Sequence, residues 1–230
     1  MRACFLLPIF TLALLVGCET TQPAKRHVLS SYSGMEEHVG VLGNRAMIKT
    51  SSPERFERYE RVIIEDVRVA LPKKSDPKIR KASREEAEAL AEKFEDILEA
   101  EFGKFYEVTR SRSSKTLTIR ATITDLVPSN PALFAVNYMP YAGMAATGIQ
   151  VLQGSPRAVG AGSASIELEV LDSRSRRQLF AMMDEIHGGK FQPGSLAKYG
   201  QAEMAMQSWA RKTRKAVQGK KPMTPVSERQ

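Results

Sequence analysis

Residues 162–187 read GSASIELEVLDSRSRRQLFAMMDEIH, and their reading decides the fold. Ala164, Ile166, Leu168 and Val170 alternate with Ser163, Ser165, Glu167 and Glu169. A period of two places the first set on one face of a strand and the second on the other. Asp172-Ser173-Arg174-Ser175 supplies turn chemistry, and Arg177 to His187 resumes as a second apolar run closed by Gly188 and Gly189. So short a connection forces an antiparallel pair, because a parallel pair needs a crossover of a dozen residues or more.

The same period appears upstream in residues 116–127. Leu117, Ile119, Ala121, Ile123 and Val127 fall on one side, and Thr116, Thr118, Arg120, Thr122 and Thr124 on the other. In that phase Asp125 points to the apolar side. Arg61 to Leu71 predicts another strand, stopped by Pro72, and Phe105 to Thr109 a short one. Ser83-Arg84-Glu85-Glu86 is a capping box, so a helix starts there and runs to Phe102 before Gly103. Its apolar face is Ala87, Leu90, Ala91, Phe94, Ile97, Leu98 and Phe102, and its other face is acidic. A second helix over residues 195–217 carries Tyr199, Ala202, Met206, Trp209, Ala210, Thr213 and Val217 on one face and ends in basic residues. Two solvated faces account for this charge split. Residues 32–48 read as irregular. The order β-α-β-β-loop-β-β-α predicts an α+β fold: a mixed, mostly antiparallel sheet of about five strands with two main helices on one face.

The N-terminus carries a separate message. Arg2 precedes an uncharged apolar run from Cys4 to Val16, too short for a durable transmembrane helix of about 20 residues. The run ends in Leu15-Val16-Gly17-Cys18, a lipobox. Residues 1–17 are expected to be a lipoprotein signal peptide. Cys18 is expected to be acylated, and several acyl chains at about 0.8 kcal/mol per buried CH₂ give stable anchoring. Glu19, in place of aspartate, favours the outer membrane by the sorting rule of such proteins. Residues 18–31 are expected to be the lipidated cysteine and tether, 32–218 a single α+β domain, and 219–230 a flexible tail. The chain has two cysteines. With Cys4 removed and Cys18 lipidated, thiol catalysis and Cys-ligated metals fall away.

Four groups of residues resemble a known family. They are Leu29-Ser30-Ser31-Tyr32-Ser33, Arg120 to Asp125, Gly162 to Glu169 with Leu171-Asp172-Ser173, and Trp209-Ala210. Together they resemble the Gram-negative envelope lipoproteins catalogued only as a domain of unknown function. The resemblance implies an envelope lipoprotein with no established activity, and it carries over no catalytic residues. The element order is also similar, at fold level only, to periplasmic domains of curli-secretion-type and Tol-type lipoprotein families.

Enzyme chemistry is thinly represented. His27, His38 and His187 lack metal-ligand spacing, so no metal and no cofactor is expected. Asp125 is the one weak catalytic candidate, as part of a carboxylate hydrolase acting on envelope polymer, or else a turn-capping residue before Pro128. Residues 126–156 hold no charge at all, in a chain that is 26% charged. Within them Phe134, Tyr138, Met139, Tyr141 and Met144 are the interaction candidates. Residues 131–152 would then meet an envelope protein partner or a second copy, or instead pack on the sheet. The net charge of +8 is split between an acidic helix and a basic tail, which argues against nucleic acid. The expectation is an outer-membrane-anchored lipoprotein with a periplasm-facing interaction or assembly domain and no enzymatic activity. The alternatives are a homo-oligomeric secretion- or pore-associated subunit and the hydrolase.

Overall fold

Hydrogen bonding divides the described residues into eight strands and two helices. They are seen in a computed structural model that describes residues 28–41, 45–72, 82–130, 160, 162–188 and 197–218. The strands are β1 (Glu36–Val39), β2 (Arg45–Thr50), β3 (Arg61–Ile64), β4 (Arg68–Val69), β5 (Glu107–Val108), β6 (Thr116–Val127), β7 (Ser163–Asp172) and β8 (Gln178–His187). The helices are α1 (Arg84–Phe102) and α2 (Gly200–Val217), and a short 3-10 turn spans Pro53–Phe56.

One sheet contains all eight strands, in the order β1-β2-β8-β7-β6-β3-β5, with β4 also pairing β6. The hairpin β7-β8 and its neighbours β6 and β2 pair antiparallel. β3 pairs parallel with β6 and β5. That sense follows from connectivity, because α1 lies between β3 and β6 and supplies the crossover. The α+β class and mixed sheet agree with the sequence, but eight strands replace the expected five. β1 and β2 fall in the stretch read as irregular. β1 is exposed along its whole length, so no apolar alternation marks it. The run over residues 61–71 is broken into β3 and β4.

Both helices pack on one face of the sheet. The capping box at Ser83 and Glu86 is present, and Ala87, Leu90, Ala91, Phe94, Leu98 and Phe102 of α1 are buried. They meet Leu117, Ile119, Ile166, Leu168 and Met182 of the sheet in one core with Met206 and Trp209 of α2. Each such large side chain contributes about 1.5–3 kcal/mol on full burial. The opposed charges of the helices are partly used between them, contrary to two solvated faces. Glu101 receives Arg214 Nη2 at 2.8 Å with both side chains nearly enclosed, and Lys93 meets Glu203 at 2.7 Å.

Two backbone details set the sheet's geometry. Pairing of β6 with β7 shifts between Ile123 and Asp125, a bulge that resets the phase of the strand. Leu126 therefore enters the core, fully buried, while Asp125 faces Ser165 on the other side of the sheet. Asp125 does not point to the apolar side as strict alternation requires. At Gly162 an added Cβ would come within 2.8 Å of both Ser129 Oγ and Val127 O. Only glycine permits that approach.

Candidate functional site

The outer face of the sheet, opposite the helices, holds the site. Its centre is the row Ser163, Ser165, Glu167, Glu169 of β7. Alternation alone assigns this row to solvent, yet all ten residues of β7 are buried. Glu167 and Glu169 are 2% and 1% exposed.

A strap formed by residues 28–35 lies over them. Leu29, Tyr32 and Met35 pack with Ala181, Met183 and Met47 in a small second core. The Ser30 amide donates to Glu169 Oε2 at 2.9 Å, and its hydroxyl donates to Oε1 at 2.8 Å. Gln178 Nε2 donates to the same carboxylate at 2.9 Å and to the Ser31 carbonyl at 3.0 Å. The Tyr32 hydroxyl donates to Glu167 Oε2. Burial and the Glu167 carboxylate push the Tyr32 phenol up to about 12. Residues 28–31, assigned by composition to the tether, thus belong to the folded structure. The small hydroxyl residues of Leu29-Ser30-Ser31-Tyr32-Ser33 serve a need that β7 creates, since a buried carboxylate must be fully hydrogen-bonded.

The carboxylates continue into an ion network that reaches the surface. Arg120 donates through Nη1 to Glu169 at 3.2 Å and through Nε to Glu65 at 2.8 Å. Arg176 Nη1 meets Glu65 at 3.2 Å, and Arg112 Nη2 lies 4.0 Å from it. Burial pushes the Glu65 carboxyl up, but the Arg120 and Arg176 guanidinium groups outweigh it and hold it below the ordinary range. Arg176 holds φ at +59°, a left-handed conformation, in the turn between β7 and β8.

Asp172 organises that same turn. It accepts from the Arg174 amide, from the Ser175 amide at 2.8 Å, and from the Tyr59 hydroxyl and Arg58 at 2.7 Å each. Burial alone would raise its carboxyl, but the Ser175 donors, the Tyr59 phenol and the Arg174 amide outweigh it and bring it down to about 2. A carboxyl lowered by folding stabilises the protein fully above its unfolded pKa, and the contribution fades as pH falls through the folded one. Asp172→Asn is therefore expected to cost about 2 kcal/mol at neutral pH. The deficit should shrink as pH falls from about 4 towards 2, which urea titrations across that range will show.

On the helix face a further buried carboxylate, Asp184, accepts from Trp209 Nε1 at 2.9 Å and from the Val41 amide at 3.1 Å. The signal for it lies in the sequence, because Asp184 is in phase with Phe180, Met182 and Ile186. Glu185, its neighbour, faces the other way.

Asp125 is half-buried, and its Oδ1 accepts from the Leu126 amide at 3.0 Å. It shares the outer face with Glu167 and Glu169. Cys18, Phe134, Tyr138, Met139, Tyr141 and Met144 lie outside the described residues. Among the described residues no cluster of three or more His, Cys, Asp or Glu is placed to hold a metal ion. No described helix is long and apolar enough to cross a membrane.

Residues 24–213 match the family model described as protein of unknown function, DUF3313. The chain belongs to this family. DUF3313 thus spans the strap, both buried carboxylate sites and most of α2. No curated protein matches the chain. Among solved structures it is similar to the PelC dodecamer from Paraburkholderia phytofirmans, at 7% identity and TM-score 0.41, covering 73% of this chain and 95% of that one. It is similar to a DUF4136 family protein from Bacteroides thetaiotaomicron, at 11% identity and TM-score 0.39, covering 75% and 96%. A minor lipoprotein from Acinetobacter baumannii is similar at 12% identity and TM-score 0.29, covering 72% and 98%.

Proposed function

We propose that this DUF3313 chain is an outer-membrane lipoprotein, anchored through Cys18, whose periplasm-facing domain is an interaction or assembly module and not an enzyme. The observation that carries the reading is the strap. The folded structure takes hold of the chain at Val28, directly after the tether that follows the lipobox, and fastens it across the sheet through Glu167 and Glu169. An anchored module needs such a fastening, because pull on the tether is then borne by the central strands. The same arrangement counts against the hydrolase reading. Glu167 and Glu169, which share the outer face with Asp125, are engaged by the chain's own amides, hydroxyls and Arg120.

A second reading, a homo-oligomeric secretion- or pore-associated subunit, draws support from the two sheet edges. β1 is exposed throughout, with Val39 71% exposed, and β5 carries Val108 at 41%. Open edges invite pairing between chains.

Metabolic palmitate labelling with envelope fractionation tests the anchor. The natural chain is expected to take up label and fractionate with the outer membrane, and Cys18→Ala to lose the label. Label retained in Cys18→Ala would end the reading. Molar mass of the detergent-extracted protein separates the two forms, and a single-chain mass removes the oligomeric one.

A further inference from the structure

Two basic loops meet at one end of the sheet. Residues 110–115 read RSRSSK and residues 173–177 read SRSRR, six cations with no acid. The fold sets them side by side. Leu117 pairs with Asp172, the Ser173 amide donates to the Thr116 carbonyl at 3.0 Å, and Thr116 Oγ1 donates to the Ser111 carbonyl at 3.3 Å. Glu65 balances Arg176, and Glu60 balances Lys115 at 2.7 Å. Arg110, Arg174 and Arg177 are exposed and make no ion pair among the described residues. The surface therefore keeps an uncompensated positive field. Such a field costs the fold self-repulsion and attracts an anionic partner.

The chain outside the structure indicates which partner. The strap begins at Val28, whose amide faces Glu167. From Glu167 to the turn at Asp172 is about 17 Å along the strand. Ten residues, 18–27, span at most about 35 Å. The strap runs from Glu167 at Val28 toward Glu169 at Ser30, so the tether leaves the outer face about 17 Å short of the basic loops, and residues 18–27 are long enough for those loops to reach the bilayer that would hold the anchor. We propose that the loops at residues 110–115 and 173–177 form a docking surface for anionic phospholipid headgroups of that bilayer. It turns the outer face of the sheet toward the membrane and leaves α1 and α2 toward the periplasm. This orientation rests on the Cys18 anchor, whereas the headgroup binding does not.

Flotation with lipid vesicles tests it, using residues 18–230 carrying Cys18→Ser, so that no acyl chain contributes. Vesicles of phosphatidylcholine containing phosphatidylglycerol are expected to bind the protein about tenfold or more tightly than phosphatidylcholine alone, with binding that weakens steeply as salt rises. The triple variant Arg110→Gln, Arg174→Gln, Arg177→Gln should lose about tenfold or more of that binding while melting at the same temperature. Lys220→Gln with Lys221→Gln, in the basic tail, should bind as the natural chain does. The proposal is overturned if the triple variant binds unchanged or if the tail variant alone abolishes binding. Capture by a soluble polyanion such as polyglutamate with none by vesicles would overturn it too, and would assign the surface to an anionic polymer. Failure here leaves the palmitate result for Cys18 intact, and the converse holds.

Discussion

Replacing Trp209 by alanine is expected to cost about 5 kcal/mol, comparable with the whole stability of many domains. Trp209 is fully buried and its ring lies 6.3 Å from that of Phe94, so truncation opens a cavity between α1, α2 and the sheet. It also removes a donor from Asp184, a carboxylate with no exposure to solvent. Trp209→Phe separates the two losses. It keeps a six-membered ring, so the cavity is smaller, while the Nε1–H is lost as in the alanine variant, and it should cost about 2–3 kcal/mol. Chemical unfolding followed by circular dichroism measures both. Combining Trp209→Phe with Asp184→Asn should cost less than the two singly, because the variants share one interaction. A loss under about 1 kcal/mol for Trp209→Ala would show that α2 is held by other contacts.

Glu169→Leu is the second large effect, at about 3–5 kcal/mol. The substitution strands the Ser30 amide and hydroxyl and takes from Gln178 and Arg120 one of the two acceptors that each holds. Glu169→Gln keeps an acceptor in the same place and should cost about 1–2 kcal/mol. The distinctive readout is hydrogen exchange. In Glu169→Leu the amides of residues 28–35 should lose protection, while those of α1 keep theirs. Strap amides that stay protected despite the lost stability would mean that Leu29, Tyr32 and Met35 suffice to hold it. A released strap would also lengthen the tether by about 28 Å at full extension. With the anchor proposed at Cys18, the buried carboxylates would thereby set how far the domain can stand from the membrane.

Much of the fold was legible along the chain. The β7-β8 hairpin, the long strand β6 and the capped helix α1 all announce themselves through local chemistry that no partner element changes. Elements with weak local chemistry were hidden. β1 has no apolar face to pattern it, and its strand geometry comes from pairing with β2. The bulge after Ile123 was hidden too, because a one-residue insertion leaves the composition of the strand unaltered, yet it moves Asp125 from the core side to the outer face.

The candidate site was legible only in pieces. Leu29-Ser30-Ser31-Tyr32-Ser33 and the Glu167 and Glu169 row were both visible as motifs, separated by more than 130 residues. Periodicity gives the face of a strand on which a side chain lies, but not what covers that face. The sequence by itself determined the α+β class and the apolar faces of the elements, and it set the expectation of a signal segment and an anchor at Cys18, since each follows from neighbours a few residues apart. Only the tertiary structure decided that Glu167 and Glu169 are buried, that Ser30 and Tyr32 are their partners, and that two basic loops share one end of the sheet. Those outcomes depend on which strands become neighbours. That choice is made by the burial of the whole apolar surface at once, and no local spacing contains it.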